Sequence, residues 1–150
     1  VGLSDIRTRI KGLLLGVDGI EIVHEYRRYA SNWGKLLELF KTDGGIIHGW
    51  MISRSGVGSE RHNSKMCDRN HTVTLTGIYG LDDAGGSELV FQRIIEDLLD
   101  AVETDKTLGK TVQECSPAKT AIIETRMFGN VLCHYAELVV SVTEIVTPTS

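Results

Sequence analysis

The chain has 150 residues, of which 41% are hydrophobic and 24% charged, and carries a net charge of −4 at pH 7. This length suits one domain that buries roughly 70% of its unfolded surface, and the composition excludes a compositionally disordered polymer. Mild acidity argues against a free-standing nucleic-acid binder, which carries a basic stripe, and no run approaches the ~20 apolar residues of a membrane span.

Ser4 is placed to cap a first helix, on which Ile6, Ile10, Leu13 and Leu14 recur at helical spacing until Gly16 and Gly19. Ile20, Ile22 and His24 alternate with Glu21, Val23 and Glu25 as in a short strand. The polar, aromatic stretch from Tyr26 to Asn32, with Arg27-Arg28 inside it, reads as a loop. Asn32 then caps a helix from Trp33 to Phe40 with apolar residues at Trp33, Leu36, Leu37 and Phe40, ended by Gly44-Gly45.

Residues 46–53 read as a strand, and residues 54–70, which are rich in Gly, Ser and mixed charge, as a loop long enough to be functional. His71 to Leu81 is the clearest strand: Val73, Leu75, Tyr79 and Leu81 lie on one face, and Thr72, Thr74, Thr76 and Ile78 on the other. After the turn Asp82–Gly86, Ser87 opens the strongest helix, 87–103. Phe91, Ile94, Ile95, Leu98, Leu99 and Val102 form its stripe, with Glu88 in the first turn.

A connection follows, with a short strand expected near residues 110–113. Strands 120–128 and 131–146 flank the hairpin turn Gly129-Asn130. On the last strand Ala136, Leu138, Val140, Val142 and Val146 face the core, interrupted at Glu144, while Tyr135, Glu137, Ser141 and Thr143 face away. The tail 147–150 reads as loose. The order α-β-α-β-β-α-β-β predicts a single α+β domain over 1–150, with a mixed, mostly antiparallel sheet and helices packed on one face.

Cys67, Cys115 and Cys133 are odd in number and widely spaced, so they do not read as a disulfide framework. The apolar Leu13–Leu15 is too short for a signal peptide, which points to the cytosol. The Asn70-His71-Thr72 sequon carries no weight without a secretory signal. His62, Cys67 and His71, with Asp68 nearby, are ligand types that suit zinc, but their spacing matches no common finger and a second ligand pair is missing. Cys133-His134 are adjacent strand residues pointing to opposite faces, so they make no catalytic pair; Cys133 reads as a small core residue and His134 as a surface or edge residue. Asp82-Asp83 lacks the acid spacing of an EF-hand, and no glycine pattern forms a phosphate loop. Arg27-Arg28 and the interleaved charges of 54–71 read as solvated or protein-contacting surface rather than a phosphate track. No catalytic, cofactor or metal residue is therefore assigned.

The run VTLTGIYGL at 73–81, a turn with Asp and Gly, SELVFQRIIEDLLDAV at 87–102 and HYAELVVSVTEIV at 134–146 together resemble the tail terminator, or tail completion, proteins of long-tailed bacteriophages. The resemblance covers residues 70–146. It implies a virion structural protein, without enzyme activity or cofactor, assembled in the host cytoplasm. Such proteins form a homo-oligomeric ring, usually a hexamer, that caps the tail tube protein and meets the head–tail connector protein. DNA passes through the lumen without sequence-specific binding, and no membrane is involved. A ring of chains each carrying −4 would have an acidic lumen that lets DNA slide. The alternatives are a head–tail adaptor or head-closure protein of the neck, or a small metal-binding domain or enzyme using residues 62–71. The expected protein-contacting residues lie in the long polar segment: Arg54, Glu60, Arg61, His62, Lys65, Asp68 and Arg69.

Overall fold

A computed structural model of the chain describes residues 2–108, 112–118 and 120–147. Three helices and six strands run in the order α1 (Leu3–Leu15), β1 (Val23–His24), α2 (Trp33–Glu38), β2 (His48–Arg61), β3 (Cys67–Gly80), α3 (Ser87–Thr104), β4 (Glu114–Cys115), β5 (Thr120–Phe128) and β6 (Val131–Val146). The strands form one sheet in the order β1-β2-β3-β6-β4, with β5 paired to the first half of β6. Among the described residues only β1 and β2 run parallel, and the other pairings are antiparallel. This is the expected mixed, mostly antiparallel α+β sheet.

The alternation of side chains along β2, β3 and β6 splits the interior in two. Trp50, Ile52, Val73, Leu75, Ala136, Leu138, Val140 and Val142 pack beneath α1 and α3, meeting Ile6, Ile10 and Leu14 of the first and Phe91, Ile94, Ile95, Leu98 and Val102 of the second. Met51, Ile78, Cys133 and Tyr135, of opposite parity, form a smaller cluster with Phe128 and with Leu37 and Phe40 at α2. The helices therefore do not share one face: α1 and α3 cover one side of the sheet and the short α2 covers part of the other. Tyr135, expected to face away, is 5% exposed because α2 and β5 give it a second core.

Local chemistry explains most boundaries. Asn32 caps α2 as expected, its Oδ1 accepting from the Lys35 N–H at 2.9 Å. The helix ends at Glu38, before Gly44-Gly45; Gly45, at φ 82°, instead closes the following turn. The N-cap of α1 is Gly2 and that of α3 is Gly86 at φ 70°, so neither Ser4 nor Ser87 caps its helix. Gly129 at φ 67° turns the β5–β6 hairpin where the sequence places it.

Gly77 sits mid-strand because Trp50 lies across it: a Cβ there would come within 2.6 Å of the indole ring. The strand expected at 110–113 falls partly outside the described residues, which omit 109–111 and the tail 148–150; its described part, 112–113, is not strand, and β4 follows at 114–115.

The largest departure is the segment 54–70. It is no loop, because β2 and β3 continue as one hairpin whose register runs from His48↔Tyr79 to Arg61↔Cys67, with a bulge between Arg54 and Gly56. β6 pairs with β3 along the same length, to Cys67↔Val146, and supplies the ladder that a Gly- and Ser-rich strand cannot sustain alone.

Candidate functional site

The hairpin extension fixes where the expected contact residues lie. Glu60, Arg61, His62, Lys65, Asp68 and Arg69 gather at its tip, whereas Arg54 is paired with Val73 at its root, roughly 20 Å away at ~3.3 Å per residue. The tip is ordered by its own chemistry: Asn63 Oδ1 accepts from the N–H groups of Lys65 and Met66, and the Met66 carbonyl from those of His62 and Asn63. Cross-strand pairing sorts the charges by face. Glu60 lies opposite Asp68 on one face, while Arg61 and Arg69 lie on the other, opposite Cys67 and Ser59. The adjacent acids repel, and His62 Nδ1, 3.1 Å from Asp68 Oδ1, offsets this when protonated.

Two sheet margins lack a strand partner among the described residues. β1 pairs with β2 only at Trp50 and Met51, leaving the outer margin of β2 open from Ile52 to Arg61. At the other side of the sheet, β5 pairs only with β6. Three of its apolar side chains are uncovered: Ile122, Ile123 and Met127 are 42%, 47% and 54% exposed. An open apolar edge is a site for pairing with another chain.

On the α2 side of the sheet lies a cleft of about 590 Å³ lined by Arg27, Arg28, Trp33, Arg126, Phe128 and Tyr135, with Met51, Ile78 and Leu36 below. Trp33 packs edge-on against Phe128, with ring centroids 5.5 Å apart. The Arg126 guanidinium stacks 3.7 Å over the Tyr135 ring and pairs with Glu124. Arg28 donates to His24 Nδ1 at 3.1 Å and lies 5.3 Å over Tyr26. Arg27 lies 5.8 Å over Tyr29. No carboxylate pairs with Arg27 or Arg28 among the described residues. The sequence signal for this cleft is the interleaving of Tyr26, Arg27, Arg28, Tyr29 and Trp33; what it lacks is any mark that Arg126 and Phe128 join them.

The residues with chemical potential elsewhere are held in structural roles. His71, one of the three candidate zinc ligands, is 2% exposed and faces Glu144 at 3.0 Å, so the Glu that interrupts the core face of β6 stays on that face through a buried hydrogen bond. His62 pairs with Asp68 instead, and no three His, Cys, Asp or Glu side chains gather around a common point among the described residues. His134 is not a surface residue: it is 7% exposed, stacked against Phe91, with Nε2 2.8 Å from Ser87 Oγ. Both side chains line a cleft together with Gln92, Ile123 and Glu124. Ser87 Oγ is buried and already accepts the Asp82 N–H, so it fastens the start of α3 to β6.

Cys115 and Cys133 are buried, and burial pushes each thiol up to about 11, with Asp105 and Glu114 adding to the effect at Cys115. Among the described residues no helix is long and apolar enough to cross a membrane. No protein-family model matches the chain, and no curated protein matches its sequence.

Proposed function

We propose that the chain is a ring-forming structural subunit of a long-tailed bacteriophage, the tail terminator that caps the tail tube, ends its growth and joins the tail to the head connector. The observation that carries the reading is the pair of open margins on opposite sides of one sheet, β5 with its exposed Ile122, Ile123 and Met127 and the charged outer half of β2. A joining protein needs two docking surfaces facing apart, and strand edges supply backbone donors and acceptors for both. Two further features agree: the helix and hairpin sequences resembling that family, and a hairpin tip whose opposite faces carry opposite charge. Mixed-sign charge selects partners more than it adds affinity.

The test is to add the purified protein to polymerising tail tubes and examine them by electron microscopy. The expected result is tubes that stop elongating and carry a ring at one end. Tubes of unchanged growth with bare ends would overturn the reading, and binding to head portals alone would favour a head–tail adaptor in its place.

A further inference from the structure

The two broad faces of the sheet carry surfaces that complement each other in charge yet cannot meet within one chain. On one face, the cleft presents Arg27 and Arg28 without a carboxylate partner among the described residues, above an apolar floor of Met51, Ile78 and Phe128. On the other, α3 turns its outer side to solvent. At 100° per residue, Leu89, Arg93, Glu96, Asp100 and Glu103 fall within about 40° of one line along that helix. Arg93 is already satisfied by Asp97 at 2.9 Å. Glu96, Asp100 and Glu103 have no cationic partner among the described residues, and Leu89, 77% exposed, is an apolar knob at the end of the same line.

We propose that the arginine cleft of one copy receives the outer stripe of α3 from a second copy, with Leu89 directed to the apolar floor and Glu96, Asp100 and Glu103 to Arg27 and Arg28. Two features favour a second copy over a foreign partner. The chain is acidic overall, at −4, yet among the described residues these two arginines have no carboxylate partners around a concave surface. The same chain leaves three carboxylates in a row, over about 10 Å of helix, without cations among the described residues. Because α3 and the cleft lie on opposite faces of the sheet, the contact is head-to-tail: each copy uses its cleft with one neighbour and its helix with the next. Such a contact closes into a ring where the rotation between copies divides a full turn, and otherwise propagates. This inference rests on the ring reading above and assigns its subunit contact to the faces, leaving both sheet margins for the tube and the connector.

The experiment uses the full chain and two charge-reversal variants, R27E/R28E and E96K/D100K/E103K, with folding checked by circular dichroism and thermal melts. Assembly is followed by sedimentation velocity and native mass spectrometry. The wild type is expected to assemble, less readily as salt rises. Each variant alone should need at least about tenfold more protein to assemble. A 1:1 mixture should recover wild-type assembly with the two variants in equal numbers, because reversal in one copy then faces reversal in the other. If either variant assembles alone like the wild type, or the mixture fails to recover, the contact is wrong while the ring reading stands. If the wild type remains monomeric at every concentration and in the presence of tail tubes, the contact and the ring reading fall together.

Discussion

His48 makes the stability of this fold depend on pH in a way that is computable from its surroundings. The ring is 3% exposed, at the start of β2, and packs against Tyr79 and Phe91. Its Nε2 accepts the Trp50 indole N–H at 3.1 Å, so the native ring is neutral, and protonating Nε2 would set two donors against each other. Burial lowers its pKa from 6.5 to about 4, against the opposing effect of a hydrogen bond to the Gly19 backbone.

The folded pKa lies below the unfolded one, so the unfolded chain binds the proton first. The stability contribution is complete above pH 6.5 and is lost as pH falls toward 4. At about 1.36 kcal/mol per unit the full loss is about 3 kcal/mol, most of it incurred by pH 4.5. Carboxylates also titrate in the lower part of this range, so the measurement is a difference. Urea unfolding of the wild type and of His48→Gln is followed at pH 7.0, 6.0, 5.0 and 4.5. The variant should be less stable at pH 7, and the gap should narrow by about 2–3 kcal/mol at pH 4.5. Parallel stability curves, or an NMR titration placing the folded His48 near 6.5, would refute the reasoning.

Four other outcomes follow from the packing. Gly77→Ala should cost about 2–4 kcal/mol in denaturant unfolding, since its methyl would enter the Trp50 ring and the central strands leave the indole little room to move. Removing one partner of the His71–Glu144 pair, as in Glu144→Leu, leaves a buried polar group without its hydrogen bond and should cost about 1–3 kcal/mol, whereas the double replacement His71→Leu with Glu144→Leu should recover much of that loss; a double-mutant cycle reads the difference. Thiol labelling of the native protein should modify Cys67 quickly, and Cys115 and Cys133 only on unfolding, because the latter two are 3% and 0% exposed with thiols raised by burial. Ile123→Lys with Met127→Lys should leave the melting temperature within a few degrees of wild type while weakening attachment to tail tubes or connector, checked by co-sedimentation.

Elements whose local chemistry and burial agree were legible from residues alone. The α3 stripe of Phe91, Ile94, Ile95, Leu98 and Val102, the Asn32 cap and the Gly129 turn carry their own signals, because one face meets the core and the other meets water. The outer hairpin gave no such signal. Its distal β2 residues, Val57 to Arg61, are exposed and alternate nothing apolar with polar, so periodicity had nothing to register. The residues expected to make contacts in a long loop therefore lie on this hairpin, all but Arg54 at its tip. The cleft escaped because Arg27 and Trp33 are separated from Arg126, Phe128 and Tyr135 by about a hundred residues, and only α2 crossing to the second face of the sheet unites them.

The sequence by itself determined the α+β class, the long helix, the late hairpin and the burial of Cys133 as a small apolar residue, since each rests on neighbours within a few positions of the chain. Only the tertiary structure decided which strands extend, that Tyr135, His134 and Glu144 have buried partners, and that an arginine cleft and an acidic helix face opposite ways. Those features depend on pairings such as β3 with β6, between residues up to 79 positions apart, and no local propensity encodes the partner at that distance.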